Sequence, residues 1–411
     1  MGKHRPLLGA TVELANAANA YRPLTRHGWA TIGVFAFGWP TSENAPLVVS
    51  GSALGALWHA FRGDYRSTSG RISLLFKVIS WILLAVVHRR GVTSRPFFED
   101  PLTEALGPDH PPIAPRPGGV FATGQTRRAF VRKTVHYGPY RSNIADIWAG
   151  PELPRDGKAP VLLQVPGGAW MIGKHRPQAY PLMSQLADHG WICVSIGYRI
   201  SPKHTWPAHI VDVKRAIAWV KANIADYGGD PDSVFITGGS AGGHLSSLAA
   251  LTPNDPRWQP GFEEADTSVA AAVPIYGRFD WIDVTSSDRQ KFMSVLQRLI
   301  VKMPFVDSHQ VYLEASPETH INAAAPPFFV LHGVNDTLIP VDEARMFVHK
   351  LREVSTAPVI YSEIPHAQHA FDVFGSARGH YTAAAVERFL NWVRETRVTA
   401  ASSAGHSTGN A

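Results

Sequence analysis

Three residue types in one order stand out along the chain: Ser240, then Asp336, then His369. Ser240 sits in Gly238-Gly239-Ser240-Ala241-Gly242, a G-x-S-x-G motif, after the apolar run Val234-Phe235-Ile236-Thr237 and before a helical stretch from His244 to Leu251. A sharp strand-to-helix turn lifts a hydroxyl clear of a sheet, and its tight backbone tolerates only small neighbours. A serine hydroxyl is a weak nucleophile until a histidine takes its proton, and that histidine needs a carboxylate to orient it. Asp336 follows the apolar run Phe328 to Leu331, which puts it in a loop at a strand's C-terminal end. Asp342 and Glu343 are the competing acids, but beyond Pro340 they read as the first turn of a helix, where acids favour the macrodipole. Two histidines follow the last strand, in Pro365-His366-Ala367-Gln368-His369-Ala370-Phe371. His369 is preferred because the added loop residues let it reach back over the sheet edge; His366 is the alternative. The pair as metal ligands lacks a third ligand or a flanking Glu.

Acyl transfer also needs backbone N–H donors for the developing oxyanion. One is Ala241, directly after the nucleophile. The others are expected from Val165-Pro166-Gly167-Gly168-Ala169-Trp170, with Gly167 and Gly168 as donors and Ala169 as a further possibility. Glycine lets the backbone approach a substrate closely.

A doubly wound scaffold is what would position these groups. Eight runs read as strands: Val131 to Tyr137, Asn143 to Trp148, Pro160 to Val165, Trp191 to Tyr198, Val234 to Thr237, Ala270 to Tyr276, Phe328 to Leu331 and Val359 to Ile364. Helical stretches alternate with them, which argues for an α/β class with a mostly parallel twisted sheet and helices on both faces. The clearest helix is Ile210 to Tyr227, whose stripe Ile210, Val213, Ile217, Val220, Ile224 ends at Gly228-Gly229. A last helix is expected over Thr382 to Arg394.

The chain has 411 residues, a net charge of +6 and one cysteine. Cys193 lies in an apolar run and reads as a buried strand residue. An intrachain disulfide and a cysteine-based zinc site are both excluded. Residues 1 to 133 hold 16 Lys/Arg against 7 Asp/Glu, a net of +9, so the remainder carries −3. This asymmetry points to an anionic partner. With no nucleic-acid motif present, a membrane surface is the expected one. Three apolar stretches occur in that first third: Thr31 to Phe37, Leu47 to Trp58 and Ile72 to Val87. Lys77 interrupts the last, and Arg89 and Arg90 close it. An interfacial helix with basic flanks is the preferred reading, against a soluble cap or a true span. The N-terminus lacks the uninterrupted apolar core of a secretory signal.

The expected organisation is therefore an N-terminal basic, apolar region over 1–106, a Pro/Gly-rich linker over 107–119, a catalytic domain over 120–398 and a disordered tail over 399–411. The segment from Arg278 to Ile321 carries Phe279, Trp281, Phe292, Met293 and Phe305. It is either a cap lining an acyl pocket or plain core.

These residues resemble the α/β-hydrolase superfamily, and more narrowly the bacterial carboxylesterases and lipases related to the hormone-sensitive-lipase group. The likeness spans Val131 to Val393. It rests on Gly167-Gly168-Ala169-Trp170 with Gly173, Tyr198-Arg199-Ile200-Ser201-Pro202, Pro207-Ala208 with Asp212, Gly239-Ser240-Ala241-Gly242-Gly243-His244-Leu245, His332-Gly333 with Asp336, and His369-Ala370-Phe371. The resemblance implies Ser240, Asp336 and His369 as triad, the Gly167/Gly168 loop as oxyanion hole, and Arg199 and Asp212 as a structural pair. It implies hydrolysis of a small-molecule ester or lipid, without cofactor or metal. The amide-cleaving alternative, a formamidase or peptidase, shares the same triad; an inactive binding module is the other rival. The sequence leaves the oligomeric state open. A membrane or bacterial cell-envelope location is expected, with the cytoplasm as alternative. Two positions depart from the group's pattern: Pro166 stands where it has His before the two glycines, and Gly239 stands where it often has Asp before the serine.

Overall fold

The computed structural model describes residues 5–116, 123–151, 153, 156–172 and 178–407. Five helices come first: α1 (Arg5–Tyr21), α2 (Ala30–Glu43), α3 (Ala45–Phe61), α4 (Thr68–Val92) and α5 (Pro96–Leu106). After α6 (Thr123–Phe130) strands and helices alternate: β1 (Val131–His136), β2 (Ile144–Trp148), β3 (Ala159–Val165), α7 (Tyr180–Asp188), β4 (Ile192–Ile196), α8 (Ala208–Asn223), β5 (Gly229–Gly239) and α9 (Ala241–Leu251). The chain continues through β6 (Ala272–Ile275), α10 (Ser287–Val295), α11 (His309–Ala315), β7 (Phe328–Gly333), α12 (Val341–Val354), β8 (Val359–Ile364) and α13 (Ala377–Ser407).

All eight expected strands are present and form one sheet in the order β1-β2-β4-β3-β5-β6-β7-β8. β1 and β2 are antiparallel additions at one edge; from β4 to β8 every neighbouring pair is parallel. A sheet covered on both faces needs strands apolar throughout, and β3, β4, β6 and β7 are buried along their whole length. Two core clusters result, one on each face. Ile210, Val213, Ile217 and Val220 of α8 join one, while Phe389, Leu390 and Val393 of α13 join the other. Each such side chain taken from water contributes roughly 1.5–3 kcal/mol. The expected stop at Gly228 is real: it takes φ +90 after a short 3₁₀ turn, Ile224–Tyr227.

Three boundaries differ from the sequence expectation. α5 lies within the proposed N-terminal region, yet Phe98, Leu102 and Leu106 pack into the core of the catalytic body. α5 thus belongs with the catalytic body rather than with α1 to α4. The stretch 107–116 is irregular as expected but is tied down, because Arg388 Nε donates to the His110 carbonyl and Gln185 Oε1 accepts from Arg116 N; residues 117–119 of the linker lie outside the described residues. α13 runs on to Ser407 instead of ending near Arg394. The run Thr399-Ala400-Ala401-Ser402-Ser403-Ala404 holds neither Pro nor Gly, so nothing in it breaks the helix, and residues 408–411 lie outside the described residues.

Candidate active site

The turn after β5 has the strained geometry a nucleophile elbow needs. Ser240 takes φ 58 and ψ −121, and α9 starts on the next residue. At this crossing the backbones touch: a Cβ on Gly242 would collide with the Val165 carbonyl at the end of β3. Strain of this kind survives only where the surroundings enforce it.

Asp336 and His369, 33 residues apart, meet at the C-terminal ends of β7 and β8. His369 Nδ1 lies 2.6 Å from Asp336 Oδ2, and both side chains are buried. The other carboxylate oxygen, Oδ1, accepts from Leu338 N and Ile339 N, each at 2.8 Å, and His332 Nε2 stands 3.4 Å from Oδ2. Burial opposes the charge on Asp336, but His369 and His332, with the hydrogen bonds they supply, hold its carboxyl far below the usual carboxylate range. Nδ1 is thereby committed, which leaves Nε2 as the atom to take a proton. His366 is exposed and makes no such contact; partial desolvation, with the charges of Arg90 and Arg378, pushes its pKa down. The competing acids are spoken for. Asp342 is exposed and paired with Arg345 at 2.8 Å, and Glu343 is buried against Arg278 and Arg289.

The glycine loop lies directly against the serine, since a Cβ on Gly167 would come within 3.2 Å of Ser240 Cβ. Pro166 cannot hold this loop as a histidine would, and other groups do. Tyr198 donates its hydroxyl to the Pro166 carbonyl at 2.9 Å. Gln178 Oε1 accepts from Gly167 N at 2.8 Å. The Trp170 indole N–H donates to His244 Nδ1 at 3.2 Å. Between these anchors Gly168, Ala169 and Trp170 all take positive φ (128, 50 and 58). The Gly167 N–H, expected as an oxyanion donor, is thus already occupied by Gln178. Among the described residues the next two N–H groups, of Gly168 and Ala169, show no such partner and stand with Ala241 as candidate donors.

Four contributors were missed from sequence: Gln178, Gln368, Tyr276 and Asp372. Gln368 Oε1 accepts from both Thr337 N and His369 N, fixing the acid loop to the base loop. Tyr276 lies 4.6 Å from the His369 ring and donates its hydroxyl to the buried Asp372. Burial drives Asp372 up to about 6 despite that bond. Gln178, Gly239, Tyr276 and Asp372 line a small cavity of about 10 Å³, room for one water beneath the elbow. None of these polar residues carries a motif of its own, so only their packing shows them.

Two further expectations are decided by packing. Arg199 and Asp212 form a forked ion pair at 2.8–3.0 Å. Phe279, Trp281 and Met293 of the segment 278–321 are fully buried in the main core, as plain packing requires, with Phe292 and Phe305 partly buried against it. Cys193 is buried in β4, where burial pushes its thiol far above the ordinary range and out of use as a nucleophile.

The sheet order and the elbow are those of an α/β-hydrolase fold. Comparison places the chain within it more closely. The BD-FAE family model matches residues 146–351. The probable carboxylic ester hydrolase LipM of Mycobacterium tuberculosis is 49% identical over 412 residues, covering 95% of this chain and 94% of LipM. Esterase LipQ of the same organism is 47% identical over 315 residues, covering 73% and 75%. Among solved structures, butyrate-bound esterase Est2 of Thermogutta terrifontis superposes with a TM-score of 0.53 at 22% identity, covering 65% of this chain and 93% of Est2, a likeness of fold. The chain belongs to the α/β-hydrolase family of carboxylic ester hydrolases.

Proposed function

We propose that this protein hydrolyses carboxylic esters through an acyl-enzyme on Ser240. The observation that carries the reading is the buried 2.6 Å hydrogen bond between His369 Nδ1 and Asp336, in a chain whose Ser240 tops a strained strand-to-helix elbow. His369 Nε2 takes the Ser240 proton as Oγ attacks the ester carbonyl. The oxyanion is received by the N–H groups of Ala241, Gly168 and Ala169. The alcohol leaves with the proton from His369, and a water deprotonated by the same nitrogen then releases the acid and restores Ser240. Asp336 remains ionised throughout and orients the imidazole. The basic, apolar N-terminal region supports a membrane-associated enzyme.

The test is hydrolysis of p-nitrophenyl esters from short to long acyl chains, with Ser240→Ala beside the wild type. A fall in kcat of roughly 10³-fold or more, together with loss of fluorophosphonate labelling, is the expected result. Turnover by the variant at the wild-type rate removes Ser240 as nucleophile.

A further inference from the structure

The N-terminal helices are built inside out. Along α4 from Thr68 to Ile82, Gly70, Ser73, Lys77 and Ser80 are buried, whereas Leu75 and Ile82 are exposed by 56% and 60%; only beyond this stretch do Leu84 and Val87 turn inward. A helix packed in water shows the opposite pattern. α1 and α3 repeat the inversion. α1 buries Ala10, Ala17 and Ala20 and turns Leu8 and Val12 outward; α3 buries Ala45 and Ala56 and exposes Leu54, Leu57 and Trp58. Small and polar residues between helices, with large apolar residues outside, is how helices pack when their solvent is hydrocarbon.

The two charges within these helices obey the same logic. Lys77 Nζ pairs with Glu13 Oε2 at 2.7 Å, and Ser52 Oγ accepts from both Lys77 (3.1 Å) and Trp81 (2.9 Å). A charged residue tolerated within a membrane faces the bundle interior and is paired. The remaining basic groups sit at the ends. Arg62, Arg66 and Arg71 are exposed around the α3–α4 turn, and Arg89 is exposed near the last turn of α4. The 17 residues between Arg71 and Arg89 make about 25 Å of helix, close to the ~30 Å of a hydrocarbon core.

α2 behaves differently, because it runs along the catalytic body. Gly28 N donates to Asp288, Phe35 meets the His369 ring edge-on at 5.6 Å, the Trp39 indole donates to the Ala370 carbonyl at 2.7 Å, and Glu43 pairs with buried Arg378 at 2.8 Å. On the other side of the same helix Phe37 is exposed, while Ile32, exposed near its start, lies on the stripe of Phe35 and Trp39. One helix thus carries both a ring against the catalytic histidine and an outward-facing apolar residue.

We propose that α1, α3 and α4 are embedded in an anionic bilayer, that α2 lies in its headgroup layer, and that the substrates are amphiphilic esters reaching Ser240 from the lipid past Phe35. The substrate part rests on the esterase reading above. The anionic preference follows from the basic groups at the ends of the bundle and the +9 carried by the first 133 residues.

The experiment uses the full chain in vesicles of phosphatidylcholine and phosphatidylglycerol. p-Nitrophenyl palmitate dissolved in the bilayer is the lipid-borne probe, and p-nitrophenyl butyrate in water reports the folded active site. At fixed bulk palmitate, adding vesicle lipid is expected to lower the palmitate rate in proportion to its mole fraction, while the protein floats with the vesicles and resists alkaline carbonate. A palmitate rate indifferent to mole fraction, or release by carbonate, overturns the proposal. Replacing Phe37 with Asp is expected to lower the palmitate-to-butyrate rate ratio roughly ten-fold; an unchanged ratio overturns the role of α2. Loss of butyrate hydrolysis by the wild type instead strikes the esterase reading, and flotation and carbonate resistance still decide the embedded bundle.

Discussion

Tyr276 occupies the space that a side chain at position 239 would need: an ideal Cβ on Gly239 would stand 2.6 Å from the Tyr276 hydroxyl. Related chains often carry Asp before the serine; here the room is filled by a ring that also touches His369. Glycine at 239 and tyrosine at 276 are therefore one feature. Gly239→Asp is expected to destabilise the fold by about 1–3 kcal/mol through overpacking, read by denaturant unfolding. Tyr276→Ala in the same chain should recover part of that loss. Equal stability of Gly239→Asp and wild type would show that Tyr276 moves aside freely.

The Asp336 carboxylate should act by orientation alone. Asp336→Asn is expected to lower kcat by about 10³–10⁴-fold, since the amide stabilises the wrong tautomer of His369, with a much smaller change in KM. Steady-state kinetics on a short ester measures it. A loss no greater than ten-fold would point to Asp342 or Glu343 as the working acid.

Asp372 gives a pH signature. Its folded pKa is raised to about 6 from 3.8, so the folded state holds the proton more tightly than the unfolded chain. A raised carboxyl costs nothing below the unfolded value, and stability falls as pH climbs from 3.8 to about 6, then levels. The drop attributable to this group is on the order of 2–3 kcal/mol. Asp372→Asn should flatten that part of the stability profile. Parallel profiles for variant and wild type between pH 4 and 6 would remove Asp372 as the cause.

Gln178 stands in for the loop-holding residue that Pro166 cannot be. Gln178→Leu should free the Gly167 N–H, loosen the strained turn through Ala169, and lower kcat by roughly 10–100-fold with KM little altered. An unaltered kcat would mean that Tyr198 and Trp170 suffice.

The ion pair of Glu43 and Arg378 joins the N-terminal helices to the catalytic body, and both side chains are 1% exposed. Glu43→Ala strands a buried guanidinium and should cost about 3–5 kcal/mol. Glu43→Ala with Arg378→Leu should be markedly more stable than Glu43→Ala alone. Calorimetry of the three proteins separates these outcomes.

Much of this architecture was readable before any coordinates. Strands buried on both faces, such as Val161 to Val165 in β3, announce themselves as unbroken apolar runs. The Ser240 motif is local, so its neighbours name it. Asp336 and His369 were recoverable because each follows a strand and the sheet brings the strand ends together. Gln178, Gln368 and Tyr276 were not, because each acts through a partner distant in sequence and chemically ordinary in type. The oxyanion loop shows the limit well. Its glycines were visible, but the choice among Gly167, Gly168 and Ala169 turns on a bond from a side chain 11 residues downstream. The N-terminal helices add a case of the same kind. Lys77 looked like an interruption in an apolar stretch, yet it is neutralised by Glu13, 64 residues earlier.

The bond between Glu43 and Arg378 spans 335 residues. During synthesis the ribosome finishes α2 long before it makes Arg378, or His369 just ahead of it. The helices that approach the base are complete while the base does not yet exist. The last steps of assembly therefore belong to the C-terminal end, and a chain halted short of it carries a finished N-terminal bundle and no triad.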